Sequence, residues 1–438
     1  MKKGRYRKAA AAAVTVLLVA AALCSVRVLD DGKNREKSQP HEKIELSFFL
    51  RKRETTHIFE KIVEDFNKSQ EEITVRTVIV PNSEVELKIR AINGEFPDIV
   101  EMIGSQSENM MQYVQGGYLA PLDNPGLSDR LMDGYKEPLL IDGKIYIMPL
   151  SVNFRGLYMN LDLMEQAGYS LPDSYEELLE ILQDIKDRGE LPMIFPDKDT
   201  WSLHQEWDAV DTVERGSQKE AYVKAAKGLQ PLWEDKGFLN SVEKYIHLRE
   251  FGQEHSWETG YDEAIRRFAG GEAYMFLQGN WAYSAIKKQN PDIRLTFVPF
   301  PAEQGKEPNI VGKLDASIGI SVSCENHGAA MEFLEYVLSE EVMKYYSEST
   351  GTCSCIKGGN GDLSFAPEFA EKLERNEFVL DTIAIPESAS NVRDQGLLKL
   401  ITGKDADYTA VSFLKEYNDA VVDQGKEILD SVRWETSE

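Results

Sequence analysis

From residue 44 onward the hydrophobic positions alternate between two periods. Residues 44–50 show the two-residue alternation of a strand, the apolar residues of 58–66 recur at helical spacing, and residues 73–80 form a β-branched stretch. The same pattern predicts helices at 84–92 and 107–115 and a buried strand at 98–103. Strands alternating with helices predict a largely parallel sheet covered on both faces.

Beyond residue 143 helices dominate. Ser174 and Glu177 stand at capping-box spacing and Gly189 follows, which predicts a helix between them. A further helix is predicted over 331–347, and the remaining strands are predicted at 145–150, 155–160, 273–279, 292–300 and 316–322, with a loop at 151–154. These strand-rich segments predict two α/β regions between which the chain crosses more than once.

The N-terminus has the layout of an export signal. Five basic residues lie within the first eight positions, and a 16-residue apolar stretch ends at Cys24. Cys24 stands where a bacterial lipoprotein carries its acylated cysteine, so the segment resembles a lipoprotein signal, although Ala21 and Leu23 depart from the usual pattern. We expect a signal peptide at 1–23, a lipid anchor at Cys24 and a flexible tether at 24–43, with an uncleaved anchor helix as the alternative.

Composition narrows the classes of function. The chain has 438 residues, of which 42% are hydrophobic, so it can bury sizeable cores. Its 49 basic and 74 acidic residues give a formal charge of −25, which opposes binding to nucleic acid. Cys324, Cys353 and Cys355 lack the ligand spacing of a zinc site. We therefore expect structural or free thiols, no metal and no cofactor.

Several segments together resemble a known family. These segments are PDIVEMIGS (97–105), YVQGGYLAPLD (113–123), the stretch at 142–179, FAGGEAYMFLQGNWA (268–282) and the stretch at 401–421. In this order they resemble the family 1 extracellular solute-binding proteins of carbohydrate ABC importers, the maltose-binding-protein-like group. The resemblance implies an α/β, two-lobed periplasmic-binding-protein-like fold with a hinge and an interlobe ligand cleft.

The resemblance also implies a function and a division of the chain. The expected lobes are 44–152 plus about 291–338, and about 153–290 plus 339–438. A monomer on the outer face of the membrane would capture a sugar or related solute by hinge closure and deliver it to the permease subunits of an ABC importer.

Candidate ligand contacts follow the predicted strands, because ligands bind beyond the carboxyl ends of strands in open α/β sheets. Sugars require planar polar partners and a flat aromatic face. In similar proteins the tryptophan at the place of Trp281 stacks on the sugar and a cleft-lining turn occupies the place of Asp315. The candidates are Trp281, Gln106, Asn153, Arg53, Glu54, Asp315, Trp201 and His204.

Each candidate has a structural alternative. Gln106, Asn153 and Asp315 could be turn formers, and Arg53 with Glu54 could be a solvated charge cluster. Trp281 could pack against the core, and we expect Trp207 to do so.

Enzymatic function has little support in the sequence. It contains no H-E-x-x-H, P-loop or G-x-S-x-G motif. We expect that the protein is not an enzyme. One alternative is a membrane-tethered glycoside hydrolase, although the sequence does not indicate which two carboxylates would be its acid and nucleophile. The other is a passive adhesin.

Overall fold

The computed structural model describes residues 43–103, 108–122, 124–381 and 383–433, which form two β-sheets covered by helices. The strands, in chain order, are β1 (Ile44–Leu50), β2 (Ile73–Ile79), β3 (Ile99–Ile103), β4 (Ile147–Pro149), β5 (Ser151–Asn160), β6 (Leu191–Ile194), β7 (Ala273–Gly279), β8 (Leu295–Val298), β9 (Val311–Leu314), β10 (Ala316–Ile320), β11 (Cys353–Ser354) and β12 (Val379–Leu380).

Helices make up most of the remainder. The α-helices are α1 (Thr56–Ser69), α2 (Ser83–Asn93), α3 (Glu108–Gln115), α4 (Pro125–Ser128), α5 (Leu161–Ala167), α6 (Tyr175–Asp187), α7 (Thr200–Arg215), α8 (Lys219–Ala226), α9 (Lys236–Leu248), α10 (Tyr261–Ala269), α11 (Ala282–Gln289), α12 (His327–Val337), α13 (Glu340–Thr350), α14 (Pro367–Glu374), α15 (Glu387–Thr402), α16 (Ala410–Asp423) and α17 (Gly425–Arg433). Short 3-10 turns lie at Glu137–Leu139, Leu232–Glu234, Arg249–Phe251 and Ser256–Glu258. No helix within the described ranges combines the length and apolarity needed to span a membrane.

The first sheet has five strands in the order β2-β1-β3-β10-β4. β1 and β3 run parallel, whereas β10 is antiparallel to both β3 and β4. The prediction of a largely parallel sheet is therefore wrong in detail: the sheet is mixed, because β10 arrives from the other sheet rather than through a covering helix. The antiparallel direction brings the start of β10 to the same edge as the ends of β1 and β3.

The second sheet is organised around β5. The first half of this ten-residue strand pairs with β9 and β11, and its second half pairs with β7 and β8. The predicted loop at 151–154 is therefore wrong: these residues are the buried start of β5. Their polar members Ser151 and Asn153 suggested a turn, but the ladder with β9 satisfies their backbone.

Two adjacent strands carry the chain between the sheets. β4 of the first sheet continues through Leu150 into β5, and β9 of the second sheet continues through Asp315 into β10. The crossings are bonded to each other, since Leu150 N donates to Ala316 O at 2.7 Å and Asp315 N donates to Ser151 O at 2.9 Å. A third segment joins them where Cys355 N donates to Leu150 O at 2.9 Å. Three such segments form a narrow connection of the hinge type.

Some predicted elements have different bounds. The helix at 174–189 is confirmed as α6, with Ser174 accepting from Glu177 N at 3.2 Å. The helix at 331–347 is instead two helices, because Ser339 caps a new start by accepting from Val342 N at 3.4 Å. β8 and β9 fall in the stretch 291–338 expected in the first lobe, yet both pair with β5 in the second sheet.

Candidate functional site

The edges of the two sheets meet at Asp315, on the crossing between β9 and β10. One carboxylate oxygen of Asp315 accepts from both the Lys52 ammonium and, at 2.5 Å, the Asn153 side-chain amide. Lys52 belongs to the loop after β1, and Asn153 lies on β5. Burial disfavours the charge on Lys52, but Asp315 outweighs it and raises the pKa of the ammonium. Asp315 therefore links first sheet, second sheet and hinge.

Asn153 retains unused hydrogen-bonding capacity. The residue is 5% exposed, and its amide oxygen is buried with no hydrogen-bond partner among the described residues. Buried polar atoms are nearly always paired in folded proteins. An acceptor of this kind, beside an amide group already donating to Asp315, can take a hydrogen bond from a hydroxyl group.

The loop at 51–54 is shaped by a buried carboxylate. Glu101 on β3 accepts from Arg51 N at 2.6 Å, from Lys52 N at 2.9 Å and from the Thr55 hydroxyl at 3.1 Å. Its side chain is fully buried, and burial raises its pKa. The residues that extend from the first sheet are thereby fixed to the strand beside them.

Aromatic side chains line the second-sheet side of the same region. The Trp281 ring lies over Gly279, where an added Cβ would approach ring atoms to 1.9 Å. The Tyr261 phenol lies beside the Trp281 indole, and Trp201 contacts Tyr261 edge to face at 5.0 Å. Trp281 is half-buried and Trp201 is exposed. Partly open rings of this kind can stack on an apolar ligand face.

The loop at 51–54 reaches this aromatic group. Arg53 lies 3.8 Å from the Asp262 carboxylate, with both side chains exposed. Burial raises the pKa of the Tyr261 phenol, and the charges of Glu54 and Asp262 add to the effect. The predicted residues Arg53, Glu54 and Trp281 therefore lie in one region, although they come from distant parts of the chain.

A buried charge network supports the second-sheet side. Asp208 on α7 is 1% exposed and accepts from Lys313 at 3.3 Å and from the Gln218 amide at 3.2 Å. The Arg155 guanidinium of β5 lies 3.7 Å away. Burial disfavours the Asp208 carboxylate, but Lys313 and Arg155 hold its pKa well below the usual range.

His204 belongs to this support. Arg155 Nε donates to Gln205 Oε1 at 2.6 Å, which leaves the Gln205 amide group to donate to His204 Nε2 at 2.8 Å. His204 Nδ1 then donates to Asp394 at 3.0 Å. Burial and the nearby Arg393 lower the pKa of His204, consistent with the neutral ring this chain of bonds requires. Both ring nitrogens of His204 are thus engaged by protein groups.

The structure brings together most of the predicted candidates. Asn153 and Asp315 are bonded to each other, Trp201 and Trp281 both flank Tyr261, and Trp207 is the fully buried core residue expected, donating to Ser241 at 2.9 Å. Gln106 and Cys24 lie outside the described residues.

Sequence reasoning missed Lys52, Arg155, Asp208 and Glu101. Lys52 was within a recognised charge cluster, but nothing in that cluster distinguished it from its neighbours. Glu101 lies within an apolar strand, and a lone acid among buried residues was the available signal.

Other features lie away from this region. A surface cavity of about 310 Å³ is lined by Asp211, Arg215 and Asp235. The Arg215 guanidinium donates to the Asp211 carboxylate at 2.9 Å and to the Asp235 carboxylate at 2.7 Å. Cys324 and Cys353 are buried free thiols, and burial raises their pKa to about 11 and about 12. Such thiols are poor nucleophiles and poor metal ligands at neutral pH.

The model of one protein family, described as "Bacterial extracellular solute-binding protein", matches residues 61–362. The chain belongs to this family. The match covers most strands of both sheets and all three segments of the hinge connection. The family's members are bacterial extracellular proteins that bind solutes.

Individual relatives agree with this assignment. The chain is 24% identical over 350 residues to the multiple sugar-binding protein of Streptococcus mutans, covering 79% of this chain and 83% of that protein. It is 20% identical over 321 residues to the melibiose/raffinose/stachyose-binding protein MelE of Bacillus subtilis, covering 71% and 74%.

The solved structure of the solute-binding protein RafE in complex with raffinose superposes with a TM-score of 0.75 at 24% identity, covering 87% of this chain and all of that one. The expected α/β, two-lobed fold with a hinge and an interlobe cleft is confirmed. The first sheet is the core of one lobe and the second sheet that of the other.

Proposed function

We propose that this protein captures a sugar or oligosaccharide in the interlobe cleft by hinge closure and delivers it to the permease of an ABC importer. The observation that carries the proposal is that one loop of the first lobe, residues 51–54, reaches both the Asp315 contact at the hinge and the partly open aromatic rings of the second lobe. A pyranose offers C–H faces to the rings and hydroxyl groups to the amide and carboxylate groups. The same solute class is supported by the relatives, which include a multiple sugar-binding protein and a melibiose/raffinose/stachyose-binding protein.

The charges around the cleft favour an uncharged solute. Four cations and four carboxylates of the buried network and the hinge are paired with one another, so these described groups leave neither sign free to recruit an ionic ligand. The balanced groups are Lys52, Arg155, Lys313 and Arg393 against Asp315, Asp208, Asp381 and Asp394. An amino acid or a phosphate would require a free charge of opposite sign.

Location and assembly complete the proposal. We infer a signal peptide at 1–23, acylation at Cys24 and a tether at 24–43, which would keep the monomer at the outer face of the membrane. The lobe division at 44–152 plus about 291–338 remains a prediction, with the pairing of β8 and β9 favouring a smaller share for the first lobe. Cys24→Ala should release the protein from the membrane fraction, and retention would favour an uncleaved anchor helix.

A thermal-shift screen tests the function. Raffinose, stachyose, melibiose, maltose and lactose are each added to the purified chain, and a binder at one hundred times its Kd should stabilise it by about 2.7 kcal/mol. The sugar should be recovered chemically unchanged, whereas turnover would support the glycoside hydrolase. Trp281→Ala should abolish the shift, while Trp233→Ala, which alters a tryptophan packed in the helical core of the second lobe, should retain it.

A further inference from the structure

One loop of the first lobe contacts both the hinge and the second lobe. Residues 51–54 follow β1, and from them Lys52 binds Asp315 at the hinge, Arg53 approaches Asp262, and Glu54 lies near Tyr261. These partners lie on the hinge crossing and at the start of α10. Whatever fixes the backbone of this loop also fixes the alignment of those contacts.

The amide groups at the start of the loop are held by one carboxylate, while its carbonyl groups accept from the hydroxyl groups of Thr55, Thr56 and Ser83. One oxygen of Glu101 accepts the amide N–H groups of both Arg51 and Lys52, and the other accepts the Thr55 hydroxyl. These bonds span the loop from its first residue to the residue before α1. Glu101 is fully buried on the middle strand of its sheet and is therefore a rigid support rather than a ligand contact.

We propose that Glu101 is a positioning residue for solute binding, whose ionised carboxylate holds residues 51–54 in the orientation that meets the second lobe. This inference rests on the proposed function for its ligand, but its structural part can be tested without one. Lys52 carries the effect to Asp315 and Asn153, the two polar groups at the hinge that a solute would meet.

The charge of Glu101 matters as well as its shape. A carboxylate accepts charge-assisted hydrogen bonds that are roughly twice as strong as neutral ones. The groups that face it are Lys52 and Arg51 on the loop, Thr55 beside α1, Asp315 on the crossing and Tyr346 on α13. Burial raises the pKa of Glu101, so this carboxylate loses its charge at a higher pH than an exposed glutamate does, and that loss would loosen the loop.

The binding test compares two isosteric variants, one on β3 and one directly before it. Glu101→Gln keeps the side-chain shape but not the charge. Asp98→Asn is the matched control, because Asp98 also accepts from a β1 amide, Ser47 N at 2.8 Å, but just before the start of β3. With raffinose and stachyose as probes at pH 7.5, we expect Glu101→Gln to raise the Kd at least tenfold and Asp98→Asn to change it less than twofold.

The pH dependence of the Kd distinguishes a positioning role of Glu101 from a general loss of structure in the variant. The ratio of the two Kd values, Glu101→Gln over wild type, should be largest at pH 8 and should shrink toward one as the pH falls and Glu101 becomes protonated. A ratio that is constant with pH, or an Asp98→Asn loss as large as that of Glu101→Gln, overturns the proposal. If Glu101→Gln does not fold, Thr55→Val removes one bond to the carboxylate and should raise the Kd about threefold.

A measurement on the unliganded full chain distinguishes this proposal from the proposed function. In Glu101→Gln, amide hydrogen exchange should become faster in peptides covering 51–55 and also in those covering the start of α10 at 259–264. Asp98→Asn should leave both unchanged. If exchange is faster in both regions but no sugar binds, the positioning role of Glu101 is supported and the proposed sugar binding is contradicted. Unchanged exchange at 259–264 contradicts the role of the loop at 51–54 in meeting the second lobe.

Discussion

Glu101 in the first lobe and Asp208 in the second are both buried carboxylates, with 0% and 1% exposure, yet their environments move their pKa values in opposite directions. Glu101 is bonded chiefly to neutral donors, and burial raises its pKa despite the nearby Lys52. Asp208 is equally buried, but Lys313, Arg155 and Arg393 outweigh the burial and lower its pKa. Burial alone therefore does not decide the state of a buried acid; the number of cations around it does.

The difference corresponds to two ways of building a cleft edge. The second lobe uses a network in which each charge has several partners, so its edge is rigid and depends on all of them. The first lobe uses one carboxylate to hold the amide groups of a short loop, so we expect the alignment of this edge to depend mainly on Glu101. We expect substitutions in the network to cost mainly stability and substitutions at the loop to cost mainly affinity.

The largest expected effect is on the network. Asp208→Asn leaves Arg155 and Lys313 buried or half-buried without their carboxylate, and breaking a buried pair in this way costs about 3–5 kcal/mol. Urea unfolding would measure the loss. Asp262→Asn, on an 85% exposed side chain, is the control and should stay within about 0.5 kcal/mol. A cost below about 1 kcal/mol for Asp208→Asn would mean that the network is not the basis of rigidity.

A smaller loss is expected when one cation is removed. Lys313→Met deletes the bond to Asp208 at 3.3 Å and the longer contact to Asp381 at 3.8 Å, but leaves Arg155 in place. We expect a loss of about 1.5–3 kcal/mol, the range for hydrogen bonds to charged groups. In a double-mutant cycle, the variant carrying both Lys313→Met and Asp208→Asn should lose less stability than the sum of the two single losses. Full additivity would show that the two side chains act independently.

The pH dependence of stability should differ in sign between the two acids. The folded pKa of Asp208 is depressed, so its contribution is complete above about pH 3.9, the unfolded value, and is lost as the pH falls toward the folded value. The folded pKa of Glu101 is raised, so its ionisation reduces stability as the pH rises above about 4.3. For each acid, the free energies of unfolding of wild type and amide variant are compared across the pH range between the folded and unfolded pKa values. Their difference should change by up to about 1.4 kcal/mol per pH unit in that range. Slopes of the same sign for both acids would contradict the comparison.

The smallest effect is expected at the surface. Lys88 on α2 and Glu387 on α15 are 3.1 Å apart and join the two lobes at an exposed edge. Lys88→Met should change the free energy of unfolding by less than about 1 kcal/mol, because exposed ion pairs contribute little. As a control, unfolding of both proteins is repeated at high salt, where screening should make their free energies of unfolding equal. A larger loss of stability would mean that the Lys88–Glu387 pair, rather than Lys52, makes the main contact between the lobes.

Several features of the fold were predictable because local pattern is decisive for them. The strand at 273–279 has the predicted bounds, since seven consecutive buried residues flanked by glycine allow little else. The cap at Ser174 was equally predictable from its spacing to Glu177. The start of β5 was not, because Ser151 and Asn153 are polar residues whose burial depends on β9 and β11, far away in the chain.

The candidate site was predictable only in part. The rule that ligands bind beyond strand ends selected Asn153, Asp315 and Trp281, and the structure places the first two in contact. It could not select Arg155 or Asp208, because these two residues are distant in sequence from each other and Asp208 also pairs with Lys313, 105 residues away.

The periodic elements, the net acidic charge and the family were predictable because each depends on neighbouring residues, on composition or on the order of motifs. The tertiary structure decided which polar groups meet and in which state of ionisation. Glu101 and Asp208 illustrate why: two buried acids have the same intrinsic chemistry, and only the donors and cations that folding brings around each one separate their pKa values.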